Sequence, residues 1–214
     1  MNDKVTRIVA VRHGQTAWNV ATRIQGQLDI GLDDTGREQA RRVAKALAGE
    51  DIDAVYASDL QRAVDTARAV AERFGLALLT EVSLRERGFG EFEGLTWAEV
   101  ELHHSEASRR WRKRDAAFAP PGGETLDVFY RRAVGAVAEI AERHRGQQVA
   151  VITHGGVLDA LYRAASRIAL DAPRTWHLGN ASINRVLHSE HGFTLVGWND
   201  GLHLEGDAIE EGAA

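Results

Sequence analysis

Two strand-sized apolar runs far apart in the chain, Ile8-Val9-Ala10-Val11 and Val149-Ala150-Val151-Ile152-Thr153, end alike, on a histidine followed by glycine. Runs so short and so uniformly apolar suit strands buried on both faces, the habit of a parallel sheet covered by helices. The first delivers Arg12-His13-Gly14 and the second His154-Gly155-Gly156. Parallel strands bring their carboxyl ends to one edge, where ligands bind in sheets of this kind, so the two histidines are expected at one site. Arg12 adds a permanent cation whose planar fork grips phosphate oxygens in pairs.

The remaining pattern supports such a sheet. Strands are expected over Arg7 to Val11, Ala54 to Ala57, Leu76 to Thr80 and Val149 to Thr153. Thr35-Gly36-Arg37-Glu38 has capping-box spacing, followed by the apolar face Ala40, Val43, Ala44 and Leu47. Ser58-Asp59-Leu60-Gln61 repeats the capping logic ahead of Ala63, Val64, Ala67, Val70 and Ala71. Further helices are expected over 96–114, 125–145 and 156–166. Asn184 to Ser189 and Phe193 to Trp198, joined by Glu190-His191-Gly192, read as an antiparallel hairpin. The expected fold is therefore α/β: a mostly parallel central sheet, helices on both faces and a C-terminal antiparallel hairpin. Residues 1–204 read as one domain. Within it, 96–125 forms a basic helical segment, carrying Arg109, Arg110, Arg112, Lys113 and Arg114, suited either to a lid or specificity loop or to a plain solvated face. Residues 205–214 read as an acidic, flexible tail.

Composition narrows the function classes. At 214 residues the chain can bury a full core. The absence of cysteine excludes disulfides, thiolate metal sites and thiol nucleophiles. A net charge of −5 disfavours nonspecific attraction to nucleic acid or anionic lipid, so neither a nucleic-acid nor a membrane partner is expected. No apolar run approaches the roughly 20 residues of a spanning helix. Met1-Asn2-Asp3-Lys4 lacks a signal stretch, and a cytoplasmic protein is expected. The expected partner is a small phosphorylated metabolite; oligomeric state cannot be read.

At the shared strand edge, Arg12 and His13 would meet Arg62, from the first turn of the helix after the second strand, and His154, at a helix N-terminus whose backbone N–H groups favour an anion. Two guanidiniums, two imidazoles and a positive helix end describe a dianion site. Among possible nucleophiles His13 is best placed: nearby cations favour a neutral ring, and the bend at Gly14 offers a backbone acceptor for its other nitrogen. A buried carboxyl beside a phosphate dianion favours its protonated form, as a general acid requires. Glu86, Glu91 and Glu93 are equal candidates on chemistry alone, and Glu93 could also cap the next helix. Flanking guanidiniums argue against a metal on His13 and His154. The other histidines, at 103, 104, 144, 177, 188, 191 and 203, read as surface or loop residues, and Trp97 and Trp111 could either pack or touch substrate.

Four segments, RHGQTAWN at 12–19, SDLQRAVDTA at 58–67, LRERGFGEFEG at 84–94 and THGG at 153–156, together resemble the histidine phosphatase superfamily, in the branch of cofactor-dependent phosphoglycerate mutases and small bacterial phosphatases. The resemblance spans roughly residues 7–200. It implies a phosphoglycerate mutase-like α/β fold, phosphorylation of His13, and a phosphate pocket completed by Arg12, Arg62 and His154 with the adjoining Gly155. It also implies that Asn19 supports this pocket, that Glu86 is the acid that later activates water, and that Gln25 lines the substrate side. A metal-independent phosphomonoesterase without cofactor is expected. A phosphoglycerate mutase, primed by 2,3-bisphosphoglycerate, is the alternative, weakened by the quick arrival of Pro120-Pro121-Gly122-Gly123 and by Trp97 where mutases usually hold a basic residue. A non-catalytic phosphate binder is the third reading, and the filled catalytic positions argue against it.

Overall fold

A computed structural model describes residues 5–205. Its elements, in chain order, are β1 (Thr6–Arg12), α1 (Ala17–Val20), α2 (Asp34–Ala46), β2 (Ala54–Ala57), α3 (Gln61–Phe74), β3 (Leu78–Thr80), α4 (Trp97–His103), α5 (Ser105–Arg112), α6 (Leu126–Arg143), β4 (Gln148–Thr153), α7 (Gly155–Ser166), β5 (Ile183–Ser189) and β6 (Gly192–Asp200). Six strands form one sheet in the order β3-β2-β4-β1-β5-β6. The first four are mutually parallel, while β5 runs antiparallel to β1 and β6 antiparallel to β5. This is the mixed α/β sheet that the apolar runs imply, with the hairpin on one flank.

Strand alternation divides the core into two layers. Val9, Val11, Val55, Ala57, Ala150 and Ile152 face α2 and α3, packing on Val43, Leu47 and Val70. Ile8, Ala10, Tyr56, Val149 and Val151 face the opposite way, onto Val137 and Ile140 of α6 and Leu158 and Leu161 of α7. Each such Val, Leu or Ile contributes about 1.5–3 kcal/mol relative to exposure, which is why the central strands tolerate no polar interruption. A separate cluster of Ile24, Phe89, Phe92, Val100 and Phe118 roofs the carboxyl edge of the sheet and anchors α4 and α5.

Helix starts depart from expectation. Asp33, two residues before Thr35, caps α2, its Oδ1 accepting from Gly36 N at 2.8 Å. Gly36, in the first turn, must be glycine, because a Cβ there would sit 2.0 Å from Gln15 O. No side chain of the 58–61 segment caps α3: Ser58 Oγ accepts from Leu60 N, while distant Asp29 accepts from Gln61 N at 2.7 Å. The helix expected over 96–114 is broken at His104 (φ −136°, ψ 51°), whose ring packs 5.2 Å from Phe92. Its start is a true capping box between Thr96 and Glu99, so Glu93 is not the cap. Beta-strand β3 is shorter than expected and begins at Leu78. His188, expected at the surface, is buried on β5 with Nδ1 3.5 Å from Glu142. Past Glu205, the tail expected over 205–214 lies outside the described residues.

Candidate active site

Register builds the site. Arg12 on β1 pairs with Thr153 on β4, so the next residue on each strand, His13 and His154, emerge side by side. His13 N donates to Thr153 O at 2.9 Å, and the two imidazole centroids are 5.2 Å apart. Beyond them opens a cavity of about 640 Å³ whose lining includes Arg12, His13, Asn19, Gln25, Arg62, Glu86 and Gly155. Thus seven of the eight residues singled out from sequence border one space, and the eighth, His154, is fully buried beside His13.

Hydrogen bonds fix both imidazole tautomers. His13 Nδ1 lies 2.7 Å from Gly14 O, which can only accept, so Nδ1 carries the proton and Nε2 keeps its lone pair. Arg62 Nε donates to His154 Nδ1 at 3.3 Å, which puts the His154 proton on Nε2, a buried donor without a partner among the described residues. Burial pushes both rings well below the ordinary histidine range. For His13 the charges of Arg62 and Arg12 add to it, partly opposed by the Gly14 bond; for His154 the main additions are Arg62 and His13. A neutral ring with a free Nε2 lone pair is a nucleophile at neutral pH.

The two guanidiniums are held differently. Arg62 Nη1 and Nη2 donate to Leu28 O (2.8 Å) and Gly26 O (2.7 Å), and burial lowers Arg62 to about 10 against the opposing pull of Glu86 and Asp29. Arg12 Nη1 donates to Leu178 O, while its buried Nε has no partner among the described residues. Unmatched Arg12 Nε and His154 Nε2 are donors beside the same histidine, as an anion pocket needs.

Geometry separates the three carboxylates. Glu86 Oε1 accepts from Arg87 N at 2.8 Å and Oε2 from Gly156 N at 2.9 Å, placing the carboxylate against the N-terminus of α7 within the cavity wall. Gly156 permits this, since a Cβ would stand 2.1 Å from Glu86 Oε1. The Glu86 residue is half-buried rather than buried. Glu93 turns away to accept from Gln27 N and Phe89 N, and Glu91 is exposed. Gln25 is buried with Oε1 unpartnered among the described residues, and Asn19 caps α1 reciprocally with Thr16.

Sequence reasoning missed Asn180. Its Nδ2 donates to His13 O (3.1 Å), Gly14 O (3.3 Å) and Asn19 Oδ1 (3.2 Å), tying the loop after His13 together. The available signal was direction: β5 starts where β1 ends, so a polar residue just before it falls at the same sheet edge. Trp97 and Trp111 both line the cavity, stacked at 4.7 Å.

The family model of the histidine phosphatase superfamily (branch 1) matches residues 8–201. The chain belongs to this family. A phosphoglycerate mutase-like protein 4 of Arabidopsis thaliana is 41% identical over 92% of this chain and 86% of its own length. A metal-independent phosphoserine phosphatase, also of Arabidopsis thaliana, is 39% identical over 95% of this chain and 85% of its own. The mycobacterial glucosyl-3-phosphoglycerate phosphatase, solved with VO3, superposes with a TM-score of 0.82 at 34% identity, covering 91% of this chain and 99% of that one. As a histidine phosphatase superfamily member with phosphatase-named relatives, the chain is a phosphoric monoester hydrolase. Among the described residues no group of three or more His, Asp or Glu could hold a metal, and no helix is long and apolar enough to cross a membrane.

Proposed function

We propose that this enzyme is a metal-independent, cofactor-free phosphatase of small phosphomonoesters that works through a phosphohistidine at His13. The observation that carries the reading is the Nδ1–H bond to Gly14 O, which leaves Nε2 of a neutral ring free beside two arginines. In this reading the Nε2 lone pair attacks phosphorus and the ester P–O bond breaks, while the Glu86 carboxyl gives its proton to the departing oxygen. The resulting carboxylate then takes a proton from water, whose oxygen attacks phosphorus, breaks the P–N bond and releases inorganic phosphate. Arg12, Arg62 and His154 stabilise the equatorial oxygens, together with the backbone at Gly155; such donors are worth ~10²–10³ each in rate. Asn19 supports the loop and Gln25 faces the substrate. Segment 96–125 acts as the specificity wall, and the chemistry belongs in the cytoplasm.

Hydrolysis is favoured over mutase action because the basic helix is neutralised: Arg112 is paired bidentately with Glu101 (2.7 and 3.1 Å), Arg109 with Glu106 and Arg110 with Asp115. The test is hydrolysis of p-nitrophenyl phosphate in EDTA, with trapping of the labelled enzyme. Activity that survives the chelator, a base-stable phosphoryl adduct, and loss of both in His13→Ala are expected. Turnover retained by His13→Ala, or a requirement for 2,3-bisphosphoglycerate, would remove this reading.

A further inference from the structure

A carbonyl that accepts from the ring of the residue before it has to be turned toward that ring, and Gly14 O is held so from outside its own loop. In the His13–Gly14 peptide, the N–H donates to Thr66 Oγ1 of α3 at 2.9 Å, while the carbonyl accepts from Asn180 Nδ2 at 3.1 Å and Ala181 N at 3.2 Å. In the Gly14–Gln15 peptide, the N–H donates to Gln39 Oε1 at 2.8 Å. Its carbonyl accepts from Asn180 Nδ2 at 3.3 Å as well as from His13 Nδ1. Of these outside partners, Asn180 alone reaches both peptides.

Its surroundings fix which end of the Asn180 amide faces them. The three partners are His13 O, Gly14 O and Asn19 Oδ1, and the last already accepts from Thr16 N at 3.0 Å. All three are acceptors, so only the NH2 end can meet them. Asn180 is anchored in turn. Ala181, the next residue, is fully buried at φ +57°, a left-handed conformation unfavourable for a residue with a Cβ. Its N–H is shared by Arg12 O (3.1 Å) and His13 O, and its carbonyl accepts from His203 Nε2 at 3.1 Å. On the other side, Gly179 N donates to Asn199 Oδ1 at 2.8 Å. Strain kept against the backbone of the reacting residue points to function. Asn180 lies behind the cavity lining rather than in it, so its effect on the reaction passes through the loop it holds.

We propose that Asn180 is a positioning residue for the reaction: by holding the Gly14 carbonyl against His13 Nδ1–H, it fixes the tautomer of His13 and the aim of Nε2. This rests on the phosphohistidine reading and adds a residue to it. Which imidazole nitrogen is free is set by the bond that the other one makes. Without the amide, the Gly14 carbonyl loses its outer support, the Nδ1 proton loses a fixed acceptor, and the lone pair is no longer kept on Nε2. The phosphate pocket is spared, because Arg12 is held by Leu178 O, and Arg62 by Leu28 O and Gly26 O.

Asn180→Ala is expected to lower kcat/KM for p-nitrophenyl phosphate by ~10², the scale of a misplaced reacting group, while the inhibition constant of inorganic phosphate holds. In protein labelled with 15N at histidine, the His13 ring is assigned by its loss in His13→Asn. It is expected to show the shifts of the Nδ1–H form in the unmodified enzyme and of a tautomer mixture in Asn180→Ala. Asn180→Asp keeps the shape but offers only acceptors and a negative charge. It is expected to be as slow. With His13 then faced by a carboxylate besides Arg12, Arg62 and His154, the acid limb of its kcat/KM profile moves to higher pH, which alanine does not cause. If circular dichroism shows the alanine variant unfolded, the aspartate variant carries every readout. An undiminished kcat/KM, an intact Nδ1–H form in a slowed variant, or phosphate affinity falling in step with the rate would overturn the role. Rapid quenching with labelled substrate separates the two readings. No adduct on His13 of the unmodified enzyme removes the phosphohistidine, whereas an adduct formed equally fast in Asn180→Ala removes only the positioning.

Discussion

Glu86 accepts from two backbone N–H groups, and an amide in its place can accept only through its oxygen. Glu86→Gln is therefore expected to keep the fold and the affinity for vanadate while slowing turnover by roughly 10²–10⁴, the usual worth of acid–base catalysis; unchanged steady-state kinetics would move the proton transfer elsewhere. Gly156→Ala should be nearly as damaging without touching a titratable group, because its methyl would displace the carboxylate; kinetics with a thermal melt separate this from unfolding. Which residues were legible follows from where they sit. His13, His154 and Arg62 occupy strand exits or a first helical turn, positions that a one-dimensional pattern specifies. Asn180 reaches the loop after His13 from the antiparallel flank, and Asp159 and Arg174 reach the cavity from the middle of a helix and the loop after it, where only the packed sheet sets their place. Chemistry could not rank Glu86 over Glu93, since both follow the same strand; backbone direction after Gly90 (φ +51°) does.

At the scale of elements, apolar periodicity located strands and helices well, and cap chemistry located their starts poorly. Thr35 fits the capping-box spacing as well as Asp33 fits a simple cap, yet Asp33 takes the Gly36 N–H, and Gly36 itself packs against Gln15 O so closely that no Cβ fits, a tertiary constraint invisible in local sequence. Asp33→Ala should thus cost about 1 kcal/mol in chemical denaturation and Thr35→Ala a few tenths at most, the reverse of the spacing rule. Asp33 also accepts from Gln15 Nε2 at 3.1 Å, so its loss should loosen the loop after His13 as well. The break at His104 is likewise invisible in the local pattern, which continues helical through it while the folded chain packs the ring 5.2 Å from Phe92.

For the whole molecule, the buried imidazoles set an acid limit on stability. In the unfolded chain each histidine takes up a proton near pH 6.5, whereas His13 and His154 stay neutral in the native state well below that. The unfolded state then binds more protons, so stability must fall as pH drops below about 6.5, by ~1.4 kcal/mol per unit per histidine until the native rings protonate. His188 and His203, also lowered by burial, add to the slope. Urea denaturation between pH 7 and 5.5 should show this, with a shallower slope in His13→Asn; an identical slope would mean that His13 titrates alike in both states.

The pairing of β1 with β4 joins residues some 140 positions apart, Arg12 with Thr153 among them. Until β4 slots between β2 and β1, His13 therefore has no His154 beside it, and the paired imidazoles exist only once that central strand is in place.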